Sequence, residues 1–238
     1  MDMTFWKKAL GVTSVVLASS LVLAACSSQS SSKKSSGKEE VVFATVGTTA
    51  PFSYEDNGEL TGYDIEVAKA VFKDSDKYKV TFKKTEWASI FTGIDSGKYQ
   101  MAGNNISYTK ERANKYLFSY PIGSTPSVLV VPNDSKITSY DDIGGHSTQV
   151  VQGTTTAAQL EKYNQEHSND TVDINYTNEN ITQMLTNLND GKYDFKIFDA
   201  PTVNTVIKNQ QLTNLKTIDL KSDDQPYIYF IFGDDQKD

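Results

Sequence analysis

A chain of 238 residues, 38% hydrophobic and 22% charged, has the makeup of a globular protein and is long enough for one large or two modest lobes. Its formal net charge of −7, with no basic block beyond the N-terminus, excludes a nucleic-acid surface and points to a small partner. A single cysteine excludes any intrachain disulfide.

The first predicted element is an export signal. Lys7 and Lys8 precede an apolar run from Ala9 to Ala25, broken by Gly11, Ser14, Ser19 and Ser20. The run falls slightly short of the ~20 apolar residues a membrane span needs, and it ends in small residues that suit a cleavage pocket. Residues 1–25 therefore read as a signal peptide. The next residue completes Leu23-Ala24-Ala25-Cys26, which resembles the bacterial lipobox. That resemblance implies a lipidated, palmitate-bearing Cys26 at the extracellular face of a cell membrane, of Gram-positive type. Ser27 to Lys38 reads SSQSSSKKSSGK, with nothing apolar to offset the entropy of ordering it, so residues 26–40 are expected to form a flexible tether.

The body opens with the strand-like run Val41 to Val46, which stops at Gly47-Thr48-Thr49. Further on, Trp87, Ile90, Phe91 and Ile94 form an apolar helical stripe that ends at Gly97, and a strand then runs towards Asn105. Ser107-Tyr-Thr-Lys-Glu-Arg112 follows, with Thr109 placed to cap a short helix. Arg112 is the one arginine beside 22 lysines. Its rigid two-pronged donor suits a carboxylate, although pairing with Glu111 or Asp64 on the surface would also account for it.

The same phrases then return. Thr148 to Val151 leads into Gly153-Thr154-Thr155, where a helix begins near Thr155. Such a turn is an ordinary helix cap, an anion site, or both. Ile181, Met184, Leu185 and Leu188 repeat the helical stripe before Gly191, and a strand ends at Asp199. Gly97 and Gly191 suit the left-handed turn that closes a helix. The recurrence predicts two related α/β lobes, residues 41–131 and 132–225, with residues 226–238 crossing back to the first. Ligands in such sheets bind beyond the carboxyl ends of strands, which sets Asn105 and Asp199 at one cleft from opposite sides. Ser127 to Val131 and Tyr227 to Phe232 are the expected crossings between lobes.

Gly58-Glu-Leu-Thr-Gly62-Tyr-Asp64-Ile-Glu66-Val67 resembles the signature of the polar amino-acid solute-binding proteins of ABC transporters, family 3. Ser107 to Arg112, Phe118-Ser-Tyr-Pro121, the Gly153 turn and Gly191 to Asp199 match its other landmarks in order. The resemblance implies a type II periplasmic-binding-protein-like fold that closes on a free amino acid and delivers it to an ABC-transporter permease. By position it gives the ligand α-carboxylate to Arg112, Ser107, Thr154 and Thr155, and the α-ammonium to Asp199. Trp87 and Phe52 stand where relatives place aromatics against the ligand, though both also suit plain packing. Relatives often carry a carboxylate five residues before Pro51-Phe52, whereas Val46 stands there, so an uncharged polar or sulfur-containing amino acid is favoured.

An enzyme of this architecture, such as a dehydratase or a peptidoglycan lyase, is the competing expectation. Neither His146 nor His167 falls near a strand end, and no metal-spaced cluster, nucleophile elbow or cofactor motif is present in the sequence. A surface sensor or adhesin is a third reading that the tether allows. Family members usually continue past the strand at Pro226 to Phe232 into further helices, so the chain reads as shortened at its C-terminus.

Overall fold

The computed structural model describes residues 37–220 and 226–236. The expected signal peptide, Cys26 and most of the expected tether lie outside the described residues.

The first lobe is built around a mixed sheet. Its elements are β1 (Glu39–Thr45), a small hairpin of β2 (Thr48–Thr49), β3 (Ser53–Asp56) and β4 (Glu59–Thr61), then α1 (Tyr63–Phe72), β5 (Tyr78–Lys84), α2 (Trp87–Asp95), β6 (Met101–Ser107), α3 (Lys110–Ala113), β7 (Tyr116–Phe118) and β8 (Gly123–Ser124). β1 begins within the last two residues of the expected tether. The sheet order is β5-β1-β6, all parallel, followed by β14 (Tyr227–Gly233) antiparallel to β6 and then β7. Successive strand residues face opposite ways, and the core divides accordingly. Phe43 and Met101 pack with Ile65 and Ala68 of α1, while Ala44 and Ala102 pack with Ile90 and Ile94 of α2. The two helices thus cover opposite faces of one sheet.

The second lobe repeats that plan with β9 (Ser127–Pro132), β10 (Ser147–Val150), α4 (Thr155–Glu166), β11 (Asp173–Tyr176), α5 (Ile181–Asn189), β12 (Lys196–Asp199), α6 (Ala200–Gln210) and β13 (Leu215–Asp219). β9 is flanked by β12 and β13, both antiparallel to it, and β10 pairs in parallel with β11. Val128 and Val130 face α5 and α6, whereas Leu129 and Val131 face Leu160 of α4. The recurrence in the sequence is therefore a recurrence of packing. Gly97 and Gly191 adopt φ of 70° and 74°, and their amides donate to the carbonyls of Ile94 and Leu188 at 2.9 and 3.0 Å, closing α2 and α5 alike.

The crossing differs in detail from the sequence expectation. β9 belongs wholly to the second sheet and β14 wholly to the first, so the chain passes between lobes at Thr125-Pro126, between β8 and β9. Beside this point the amide of Thr125 donates to the carbonyl of Pro226 at 2.7 Å. β6 ends at Ser107 and β12 at Asp199, which pairs with Ser127 directly after the crossing, so both strand ends converge on the hinge.

Candidate ligand-binding cleft

A cleft of about 780 Å³ lies between the lobes. The first lobe contributes Trp87, Asn105, Ser107 and Arg112 to its lining, and the second contributes Thr154, Thr155 and Asp199.

Arg112 is set by its helix start. The Thr109 hydroxyl accepts the Arg112 amide at 3.1 Å, which fixes the first turn of α3 and turns the guanidinium inward. Only 9% of the residue is exposed, and its Cζ stands 5.4 Å from the Trp87 ring centre and 5.5 Å from that of Phe91. Nη1 donates to the carbonyl of Ser107 at 2.9 Å, and Nη2 donates across the cleft to the carbonyl of Gly153 at 3.2 Å. No carboxylate pairs with it among the described residues; Glu111 meets Lys115 instead, and Asp64 meets Asn105. Burial lowers the guanidinium pKa, yet arginine stays charged, so a cation with unused donors faces the cleft.

Asp199 supplies the opposite charge from the second lobe. It is the N-cap of α6, with Oδ1 accepting the Thr202 amide at 2.9 Å. Its other oxygen accepts Asn105 Nδ2 at 2.9 Å, a bond between the two residues that end the repeated phrase in each lobe. Asn105 Oδ1 accepts the Thr125 hydroxyl at 3.0 Å, so one side chain joins the hinge to Asp199. Asn105 holds a left-handed φ of 54°, uncommon for a non-glycine residue, and its amide donates to Asp64 Oδ2 at 2.7 Å. Burial raises the Asp199 pKa. Asp64, fully buried in α1, is pushed up to about 7 by burial and by the like charge of Asp199, against the opposing Asn105 amide.

The other expected residues divide. Thr154 caps α4, accepting the Ala157 amide at 3.2 Å and donating to the carbonyl of Val151 at 2.8 Å. Its hydroxyl is thereby committed, and what the turn offers the cleft is the N–H groups of the first turn together with Thr155. Trp87 is half-buried, with its indole N–H out of reach of any acceptor among the described residues, and Gly153 lies opposite it. Phe52 does not line the cleft. Its ring packs edge-on against Tyr63 at 6.3 Å and its carbonyl accepts the Asp64 amide, so it serves the fold of the first lobe.

The structure adds residues with little sequence signal. Asn104 lines the cleft and bonds the Thr45 hydroxyl at 3.2 Å, with Ser53 beyond it at 2.6 Å. Val46 does occupy the position without a carboxylate, but Glu86 and Glu179 bring carboxylates to the lining from other segments. Behind the wall, Lys196 is buried and donates to the carbonyl of Gln149 at 2.9 Å, and burial pushes its pKa down to about 7.

Comparison with known proteins gives this cleft its context. The profile of the family described as bacterial extracellular solute-binding proteins, family 3, matches residues 41–171, more than half of the chain. A probable amino-acid-binding protein, YxeM of Bacillus subtilis (strain 168), is 36% identical over 116 residues, 48% of this chain and 44% of that protein. The L-cystine-binding protein TcyA of the same organism is 31% identical over 198 residues, 82% of this chain and 70% of that protein. The chain thus spans less than half of one of these relatives and about seven tenths of the other. A solved chain from work on glutathione import in Gram-positive bacteria via GshT and the cystine ABC importer TcyBC of Streptococcus mutans is 63% identical, with a TM-score of 0.83 and 84% of each chain covered. An ancestral arginine-binding protein bound to arginine is 26% identical, with a TM-score of 0.74, covering 84% of this chain and 87% of that one. The solved neighbours share a type II periplasmic-binding-protein-like fold, and the matched family is one of solute-binding proteins rather than enzymes.

Proposed function

Because the chain belongs to the bacterial extracellular solute-binding proteins of family 3, we propose that it captures a free amino acid between its lobes and presents it to the permease of an ABC importer. The observation that carries this reading is the pair of opposed, buried charges on one cleft, Arg112 from the first lobe and Asp199 from the second. A zwitterion needs one cationic and one anionic partner, and buried charges are costly unless paired. Both contacts exist together only when the lobes are closed, so the ligand binds that state better and shifts the population towards it.

Within the amino acids we assign the sulfur-containing cystine, with glutathione, a γ-glutamyl thiol peptide that carries the same α-amino-acid head group, as the second candidate. The support is the 31% identity to a cystine-binding protein, the 63% identity to a chain solved in work on glutathione and cystine import, and a cleft of about 780 Å³, roomy for a single small amino acid. Arg112→Ala and Asp199→Ala are each expected to cost ~2–5 kcal/mol, at least about thirtyfold in affinity, by calorimetry. Retained affinity in either variant would sink the assignment. A thermal-shift screen of the twenty amino acids, cystine and glutathione tests the ligand class, and stabilisation by arginine or lysine alone would overturn it.

The lipobox-like sequence before Cys26 further supports anchoring at the outer face of the membrane, with the residues between Cys26 and the start of β1 at Glu39 as leash. Metabolic labelling with palmitate should mark the wild type and not Cys26→Ala, which should appear in the medium.

A further inference from the structure

We propose that Glu179 forms a second, distal subsite in the cleft that accepts an N–H donor on the far end of an extended ligand. The proposal rests on the amino-acid reading above. On that reading Arg112 and Asp199 take up the head group, and the second lobe also brings Asn178, Glu179 and Met184 to the lining of the same cleft. Glu179 stands in the turn before α5, and its carboxylate is held from behind. Oε2 accepts Gln149 Nε2 at 2.8 Å and Asn187 Nδ2 at 2.9 Å, and both amides are buried, with 7% and 5% exposure. Asn187 is itself fixed, its Oδ1 accepting Lys192 Nζ at 2.9 Å and Gln183 Nε2 at 3.1 Å. The Glu179 amide donates to the Thr177 hydroxyl at 3.1 Å, which pins the backbone of the turn. Oε1 receives no donor among the described residues.

A surface glutamate ordinarily turns freely, and ordering it costs entropy. Here the fold has already met that cost, using two buried amides whose alternative partners are few. A ligand that bonds Oε1 therefore meets a carboxylate already oriented and loses less in ordering it. The shared chemistry of a fitting occupant is an N–H donor beyond the α-carbon. It comes either from the second ammonium of a disulfide-linked diamino acid or from a peptide N–H of a γ-glutamyl peptide. The ammonium makes the stronger, charge-assisted bond.

Calorimetric affinities of the purified wild type, Glu179→Ala and Glu179→Gln for cystine, glutathione and methionine test this, with melting temperatures as the check on folding. In Glu179→Ala the affinity for the longer ligand, relative to methionine, should fall roughly ten- to a hundredfold. In Glu179→Gln the two buried amide donors claim the one carboxamide oxygen and turn its NH2 towards the ligand, so the longer ligand held by the subsite should lose affinity as in the alanine variant, and whether cystine or glutathione suffers that loss separates the sources. Equal losses for all three ligands would mark Glu179 as structural and overturn the subsite, as would no loss for either longer ligand. Wild-type protein that binds methionine but neither longer ligand would overturn the distal subsite while leaving the amino-acid site in place. Binding of none would sink the amino-acid reading itself, and the subsite with it.

Discussion

Asp64 sits in the first turn of α1, with one carboxylate oxygen on the Asn105 amide and the other without a partner among the described residues. Its pKa stands at about 7, raised first by burial and further by Asp199, the charged group that acts on it from the facing lobe. A ligand ammonium at Asp199 would offset that repulsion and weaken the hold of Asp64 on its proton. Binding should then release a proton near neutral pH, and by linkage affinity should rise as pH climbs through about 7. Calorimetry in buffers of different ionisation heat should detect the release in the wild type and lose it in Asp64→Asn; undiminished release in the variant would place the proton elsewhere. The sequence marks Asp64 as one residue of a signature and as a possible surface partner of Arg112. Arg112 and Asp199 could be placed on the cleft because rarity, position and resemblance agreed on them, whereas the burial of Asp64, the orientation of Glu179 and the withdrawal of Phe52 are set by contacts between segments far apart in the chain.

At the level of elements, the helices and their stops were the most legible part. The stripes at Trp87–Ile94 and Ile181–Leu188 became α2 and α5, because a 3.6-residue period of apolar side chains has one obvious use against a sheet. The hairpin β2-β3-β4 was not legible, since its short strands carry polar residues and owe their pairing to the surrounding lobe. Gly97 and Gly191 allow a clean comparison: a Cβ at either would meet no atom within 4 Å, so substitution acts on the backbone alone. Each glycine-to-alanine change should cost ~1–2 kcal/mol in urea denaturation, the usual penalty of a left-handed conformation. Gly93→Ala should cost more, because its Cβ would meet the Tyr99 ring at 2.2 Å.

For the whole molecule, two buried titratable groups give stability a defined pH response. Asp64, raised from 3.8 to about 7, keeps in the fold a proton that the unfolded chain has lost, so its contribution is greatest at low pH and declines as pH rises across that interval. Lys196, lowered from 10.5 to about 7, sheds in the fold a proton that the unfolded chain retains, so its contribution improves as pH rises from about 7 towards 10.5. Together they contribute least near pH 7. Melting curves should show Asp64→Asn flattening the acid side of the profile and Lys196→Met the alkaline side; unchanged slopes would refute the assignment. The bonds of Asn105 to both Thr125 and Asp199 also constrain how this protein can diverge. On the function proposed above, any change at that position would disturb closure and head-group capture at once, whereas Asn178 and Glu179 belong to a turn assigned to neither. Under laboratory selection for a new ligand, successful lineages should accumulate their early substitutions in that turn and leave the residues tied to the hinge alone.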